Sequence, residues 1–426
     1  MPQEVIIFDA TLFVNAYETQ LFRTGLYRVS EQLLKQLVAS GRYDIWLYDT
    51  MGRDRIMRQQ VLPHYPKAHI LTAERCAYQR LTDKPLVLAD RLRARQEKAS
   101  SWIGKSICRC CKNMLRYYAR GIHRLIPNRT LPLPSESAHY LATYYPVPEW
   151  VHSMGLSATL IVHDLIPIRH PEWFVSEVNK QTLIEIINSV STSDSVVCVS
   201  QSTLQDFLAF REDFPVDHTA VAYLAAADVF VPTPLSEALR TRWGISGGYI
   251  LSVCTIEPRK NIDTVLAAYS MLLQTEQDIP QLVLTGANGW KNAELLQRIE
   301  RLQQQYPDKI RLTGYVDDIE LAQLYTAASA FVYPSLYEGF GLPPLEAMQC
   351  GCPVITSDVS SLPEVVGEAG ITIAPTDVEA LAQAIKIVLS GDREEQRQQA
   401  LQRAREFSWK RMAKIVEQTI RTTTLY

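Results

Sequence analysis

Two glutamates, Glu338 and Glu346, stand eight positions apart in YEGFGLPPLEAMQCGCPVITSD (337–358). The stretch between them is apolar and carries Gly339, Gly341, Pro343 and Pro344. These residues break regular structure after AFVYPS (330–335), and from about Pro344 the run LEAMQC reads as a helix with Glu346 in its first turn. Backbone N–H groups at such a helix start can face an anion. Carboxylates at a strand-to-helix turn can accept hydrogen bonds from sugar hydroxyls. The helix dipole supplies a structural reason for Glu346, whereas Glu338, between Tyr337 and Gly339, has none. Two carboxylates also raise acid–base hydrolysis, for which a retaining pair stands about 5–5.5 Å apart.

Three further segments carry residues that could do chemistry. TIEPRKN (255–261) directly follows the strand-like YILSVC, so Arg259 and Lys260 fall at a strand end, just before a helix expected from about Asn261. Two cations beside a helix N-terminus suit a diphosphate, although the same loop also reads as a solvated charged turn. In LIVHDLIPIRHPEWF (160–174), His163 ends an apolar strand and Asp164 follows it. A hydrogen-bonded strand-end histidine and a functional one are both open there. In FRTGLYRVSEQLL (22–34), Gly25 opens a helix, and one glycine does not make a phosphate loop. No two aspartates are spaced as D-x-D, the usual way of holding a cation on a sugar diphosphate. Charge neutralisation then falls to Arg259, Lys260 and helix ends, which favours a metal-independent reaction.

The elements that must position these residues alternate between strand and helix. VIIFDA (5–10), TLIVHD (159–164) and SVVCVS (195–200) in the first half, and YILSVCT (249–255), QLVLTG (281–286), KIRLTG (309–314), AFVYPS (330–335) and CPVITSD (352–358) in the second, are short apolar runs. Amphipathic segments lie between them, for example Leu295, Ile299 and Leu302. Strands apolar on both faces and alternating with helices imply parallel sheets covered on both sides. The alternation lapses over 230–247, where Pro232, Pro234 and Gly247–Gly248 suggest a linker. The expected fold is therefore α/β, two doubly wound domains divided near residue 235 and facing a central cleft.

Composition fits this picture. The 426 residues suggest two or three domains, and 47% hydrophobic content with 21% charge supplies a large core. A net charge of −3 argues against a nucleic-acid binder. No run of 18 apolar residues is present, so no membrane-spanning helix is expected. MPQEVIIFDATLF has an acid and no basic region before its apolar run, so no secretion signal is expected. Cys198, Cys254 and Cys350 read as small core residues, and Cys108, Cys110 and Cys111 lack the C-x-x-C spacing of a zinc site.

Taken together, these segments resemble the retaining glycosyltransferases of family 4, the group 1 glycosyl transferases with GT-B architecture. Glu338 and Glu346 meet that family's E-x7-E motif, and EPRKN, LTGYVDDIELAQLY and FSWKRMAKIV follow in the family's order over about 249–415. The first half resembles it less closely, through FDATLF, RTGLYR, VHDLIP and VCVSQST. The resemblance implies an N-terminal acceptor-binding Rossmann-like domain over 1–235 and a C-terminal nucleotide-sugar-binding one over 236–409. It also implies a final helix, 410–426, that packs back on the first domain.

The resemblance further implies the residue roles. Glu338 contacts the donor sugar's hydroxyls and Glu346 the ribose. Arg259 and Lys260 hold the diphosphate and stabilise the leaving group. Backbone groups of Phe340, Gly341 and Leu342 touch sugar and phosphates, and those of Tyr315 and Val316 the base. Gly25 lets the N-terminal loop approach the diphosphate, and His163 sits against the donor sugar. The only cofactor implied is a nucleotide-diphospho-sugar, GDP- or UDP-linked, without metal. Retention is implied by the family alone; with one carboxylate on the ribose and no obvious nucleophile, front-face transfer is expected. A mannose-type hexose is the favoured donor sugar, because VHDLIPIRHPEWF is similar to stretches in mannosyl- and rhamnosyl-transferring members. The acceptor is a glycan or lipid-linked glycan of a surface polysaccharide such as O-antigen. Other GT-B enzymes, a phosphorylase or an epimerase, and a catalytically silent scaffold of an assembly complex are the alternative readings.

One segment departs from the family pattern. Residues 75–129 hold fourteen Lys or Arg against Asp83, Asp90 and Glu97. Ile103, Ile107, Cys110, Met114, Tyr118, Ile122 and Leu125 recur at steps of three and four, with Trp102 near one end. A basic amphipathic helical insertion of this kind suits anionic membrane, here through 88–126, and places a cytoplasmic protein on the inner face of the membrane. A helical insertion with a solvated basic face is the plainer reading.

Overall fold

The computed structural model describes residues 4–19, 25–71, 133–174, 176–253, 255, 257–286 and 293–423. The basic insertion 75–129, its expected membrane contact through 88–126, and Cys254 lie outside the described residues.

Strands β1 (Glu4–Asp9), β2 (Tyr43–Tyr48), β3 (His69–Ile70), β4 (His139–Ala142), β5 (Ala158–Val162), β6 (Ser195–Cys198) and β7 (Thr219–Val221) form one sheet, ordered β3-β2-β1-β4-β5-β6-β7. Strands β8 (Tyr249–Val253), β9 (Gln281–Thr285), β10 (Ile310–Gly314), β11 (Ala330–Tyr333), β12 (Val354–Ser357) and β13 (Gly370–Ile373) form a second, ordered β10-β9-β8-β11-β12-β13. Neighbouring strands run parallel in both. The central strands β4, β5, β6, β9, β11 and β12 are buried along their whole length, as sheets covered by helices on both faces require. Each strand order reverses once, at β1/β4 and at β8/β11, and such reversals open a crevice beyond the carboxyl ends of the strands.

Seven of the helices among the described residues bear on the site or on the junction of the two halves. They are α1 (Gly25–Ser40), α2 (Gln201–Phe210), α3 (Glu237–Trp243), α4 (Ile262–Thr275), α5 (Asp318–Ala327), α6 (Leu342–Gln349) and α7 (Trp409–Thr423). Val29, Leu33, Leu34 and Leu37 turn one face of α1 into the core, and Gly41, at φ 63, ends the helix. The segment expected as a linker instead contains α3. Ser236 Oγ accepts from Leu239 N, Gly244 closes the helix at φ 65, and Trp243 is buried. A capping serine and a left-handed glycine thus frame a helix that the flanking prolines concealed. Helix α6 begins two residues before the expected start, with Pro343 and Pro344 in its first turn, where a missing N–H costs no helical bond. Glu346 therefore lies in the second turn, not the first.

One apolar cluster runs from Phe8, Leu33 and Leu141 through Phe230 to Tyr249, Phe331 and Leu345, joining the two halves. Helix α7 rests against α1 and β5–β7, with Trp409 Nε1 donating to Ala226 O (3.1 Å) and Arg42 paired with Glu417 (2.6 Å). Cys198, Cys350 and Cys352 are buried free thiols.

Candidate active site

The two strands that flank the second reversal deliver the charged residues. Beyond β8 come Glu257 and a 3-10 turn, Pro258–Lys260; beyond β11 come Ser335 to Glu338. Asn261 enters α4 from a left-handed conformation, φ 54, held by Nδ2 donating to Pro334 O (3.0 Å) and Pro375 O (2.6 Å). Leu336 N donates to Arg259 O (2.8 Å). The loops after β8 and β11 are thereby fastened side by side.

Glu338 sits buried between two cations. Its Oε2 lies 2.6 Å from Arg259 Nη1 and its Oε1 2.6 Å from Lys260 Nζ, while Tyr333 Oη (2.8 Å) and Ser335 Oγ (2.6 Å) donate to Oε1. Burial pushes the carboxyl up, but Arg259 and Lys260 outweigh it and hold the group at about 2. Arg259 also donates to Tyr337 O (2.8 Å) and Glu257 Oε1 (2.8 Å). Burial pulls its guanidinium down, and Glu338, with Tyr333 and Glu257, more than reverses this. A bound anion can compete for both cations, which would leave the Glu338 carboxylate free to accept hydrogen bonds from other donors.

Glu346 has a different set of partners. Its Oε1 accepts from Arg28 Nη1 of α1 (2.6 Å), and Arg28 Nη2 reaches Asp318 Oδ2 of α5 (2.9 Å). Tyr325 Oη lies 3.4 Å from Glu346 Oε2. Burial pushes this carboxyl up, Arg28 draws it down and Asp318 raises it, leaving it at about 7. The two glutamates thus sit in separate networks, one held strongly ionised by two cations and one pushed up by burial against the pull of Arg28.

His163 enters from the first sheet, at the end of β5. Its Nε2 donates to Thr143 O at the end of β4 (2.8 Å), so Nδ1 is left as the acceptor nitrogen. Burial lowers its pKa to about 4, against the opposing effect of the Thr143 carbonyl, and the ring is neutral at pH 7. Gly339 brings this strand end against the glutamate loop. A Cβ there would lie 2.1 Å from His163 O and 2.8 Å from Asp164 Cβ. Gly339 O accepts from Ser200 Oγ (2.7 Å) and Thr203 Oγ1 (3.0 Å), and Glu364 accepts from the Gln201 and Ser202 backbone N–H groups at the start of α2 (2.7 and 2.8 Å). Asp164 feels the charges of Arg259, Glu338 and Lys260, although burial is the larger influence and raises its pKa. Gly339→Ala is expected to force the halves apart, costing about 1–3 kcal/mol as overpacking does. A thermal melt checks this, and an unchanged melting temperature contradicts the close approach.

The remaining candidates lie on helix starts and on loops beyond the strand ends. Phe340 is buried, Gly341 (φ 115) precedes α6, and a Cβ on Gly341 would come within 2.9 Å of Leu362. Leu342 opens α6, and a Cβ on Gly25 would meet Leu342 Cδ1 at an ordinary contact distance of 3.5 Å, so the start of α1 lies against the start of α6. Tyr315 and Val316 follow β10 at the approach to α5, with Tyr315 exposed and Val316 buried. A cavity of about 360 Å³ beside His163 is lined by Leu26, Tyr144, Asp164, Phe174 and Leu183, among others. Arg28, Tyr333, Ser335 and Asp318 complete these networks and are not among the residues expected from the sequence. Arg28 stands in FRTGLYR one turn beyond Gly25, on an amphipathic helix that also carries Glu31 and Lys35, so its charge alone gives no signal in the sequence. Among the described residues, no group of three or more His, Cys, Asp or Glu side chains could hold a metal ion, and no helix is long and apolar enough to cross a membrane.

Residues 236–407 match the family described as glycosyl transferases group 1. The chain is 37% identical over 261 residues to O-antigen chain mannosyltransferase B of Escherichia coli, an alignment covering 59% of this chain and 67% of that one. It is 32% identical to the serotype-specific mannosyltransferase WbdA of Escherichia coli, over 58% of this chain and 31% of the relative. Among solved structures, sucrose-phosphate synthase from Thermosynechococcus elongatus superposes with a TM-score of 0.62 at 20% identity, covering 99% of each chain. With parallel sheets of this topology and relatives at this identity, the chain is a glycosyltransferase of GT-B fold and belongs to the glycosyl transferases group 1 family.

Proposed function

We propose that this protein moves a mannosyl unit from a nucleotide-diphospho-sugar to a glycan or lipid-linked acceptor of a surface polysaccharide, with retention at the anomeric carbon and without a metal. The observation that carries the reading is Glu338 held between Arg259 and Lys260 at the β8/β11 crevice, with His163 brought opposite by Gly339. The mannose assignment rests on the names of both Escherichia coli relatives, of which this chain spans 67% and 31%, and the O-antigen assignment on the name of the first alone.

In this reading the domain spanning 236–409 holds the donor and that spanning 1–235 the acceptor, with the last helix bracing the first. Arg259 and Lys260 transfer from Glu338 to the diphosphate and stabilise the negative charge that grows on it as the glycosidic bond breaks. Glu338 then accepts hydroxyls of the donor sugar, and neutral His163 offers Nδ1 to another. Glu346 takes the ribose hydroxyls; Phe340, Gly341 and Leu342 line the sugar and phosphates, Tyr315 and Val316 the base, and Gly25 leaves space for the diphosphate. The acceptor hydroxyl enters from the cavity beside His163. It attacks on the face the diphosphate leaves, and its proton passes to a departing phosphate oxygen. Contact between the halves excludes water and so suppresses hydrolysis. The protein works in the cytoplasm, at the inner face of the membrane where a lipid-linked acceptor resides.

The test is transfer of label from GDP-[14C]mannose, in EDTA, to a lipid-linked or oligosaccharide acceptor. The reading expects label in the acceptor fraction. Label carried only from UDP-sugars overturns the mannose assignment, and no transfer or donor hydrolysis with any nucleotide sugar favours a catalytically silent scaffold.

A further inference from the structure

The ion pair on Glu346 is supplied from the opposite half of the molecule. Arg28 lies in the first turn of α1, three residues beyond Gly25, while Glu346 lies on α6. The guanidinium fork gives one N–H to Glu346 Oε1 (2.6 Å) and one to Asp318 Oδ2 (2.9 Å), and its carbon stands 5.5 Å from the centre of the Phe230 ring. The Arg28 and Glu346 side chains are 16% and 7% exposed, so this is a largely dry contact rather than a surface pair. Asp318 and Phe230 fix the guanidinium, which presents its second donor to Glu346.

We propose that Arg28 is a positioning residue for the donor nucleotide, fixing the Glu346 carboxylate from across the cleft so that the ribose contact is complete only when the two halves are together. The inference rests on the reading of Glu346 as the ribose contact and adds a residue to it. Apart from Arg28, Glu346 has the Tyr325 hydroxyl at 3.4 Å, a long contact that orients a carboxylate poorly. Burial and the nearby Asp318 both favour the protonated form of Glu346, and Arg28 is the cation that opposes them. A carboxyl that must accept ribose hydroxyls serves best ionised and held in one rotamer, and a guanidinium donor at 2.6 Å supplies both conditions. Because that donor belongs to α1, nucleotide affinity becomes linked to the approach of the halves, and the linkage is reciprocal.

The experiment is titration of GDP by calorimetry into the wild type and the Arg28→Met, Arg28→Lys, Glu346→Gln and doubly substituted Arg28→Met/Glu346→Gln proteins, with kcat and KM for GDP-mannose. Arg28→Met and Glu346→Gln are each expected to weaken GDP about tenfold, a coupling typical of contacting residues. Arg28→Lys should recover most of the loss. The double variant should bind no more weakly than Glu346→Gln alone, and Arg28→Met should raise KM with little change in kcat. Asp318→Asn, which loosens the anchor but keeps both partners, should weaken GDP less than Arg28→Met and serves if the latter does not fold. Wild-type affinity in both Arg28→Met and Asp318→Asn overturns the inference, as does full additivity in the double variant. Wild-type affinity in Glu346→Gln removes the ribose reading itself.

Discussion

Glu338→Gln is expected to cut sugar transfer by about a hundredfold or more while leaving nucleoside diphosphate binding intact or tighter. Loss of one preorganised charged contact at a transferring centre is worth about 10²–10³ in rate. The amide can still accept from Ser335 and Tyr333, but it can no longer neutralise Arg259 and Lys260, both 2.6 Å from the native carboxylate. Removing one partner of a buried ion pair costs about 3–5 kcal/mol of stability. A bound diphosphate supplies the missing negative charge, so GDP should raise the melting temperature of the variant more than that of the wild type. The pH dependence has a definite sign. Glu338 is held at about 2, below its ordinary 4.5. Its stabilising pairing is therefore complete above the ordinary value and lost as the pH falls through the lowered one. The stability gap between wild type and variant should narrow on acidification. Transfer within threefold of wild type would limit Glu338 to a structural role.

Arg259→Ala and Lys260→Ala are each expected to lower kcat/KM for the nucleotide sugar by about 10²–10³. Arg259 should be the costlier loss. It binds the Glu338 carboxylate, the Tyr337 carbonyl and the Glu257 carboxylate, and so fastens the loop beyond β11 to the one beyond β8. Without it, Glu338 keeps one cation in a buried setting, and its carboxyl should titrate upward from about 2. Lys260, whose Nζ lies 5.0 Å from the centre of the Tyr333 ring, should show mainly weaker donor binding. Steady-state kinetics with GDP-mannose separate the two; equal, small effects would contradict a diphosphate cradle.

The extent to which these features were legible depended on how local each was. Among strands buried on both faces, Ala158–Val162, Gln281–Thr285 and Ala330–Tyr333 are apolar runs and stood out, whereas His139–Ala142, equally buried, opens on a histidine and did not. Tyr43–Tyr48 did not, because its side chains alternate between buried and half-buried positions, and His69–Ile70 has only two residues with which to show a pattern. Helix Glu237–Trp243 was hidden among prolines and glycines that normally mark a linker. The GT-B fold and the family, expected from the motifs, are as the comparisons have them. Arg259, Lys260 and Glu338 each follow a strand, which marks them as candidates, but their common site was implied by the family resemblance and not by position alone. The pairing of Arg28 with Glu346 could not be anticipated, since 318 positions separate them and their meeting depends on how the halves pack. Gly339 likewise looked like a turn residue, and its reason is the His163 carbonyl of the other half.

The measurement that bears most directly on the donor cradle is calorimetric titration of GDP and UDP, in EDTA, into the wild type and Arg259→Ala. Binding at one site per chain in the wild type, weakened at least about tenfold in the variant, is the expected result. Equal affinity in both proteins, or no nucleotide binding by the wild type, would contradict it.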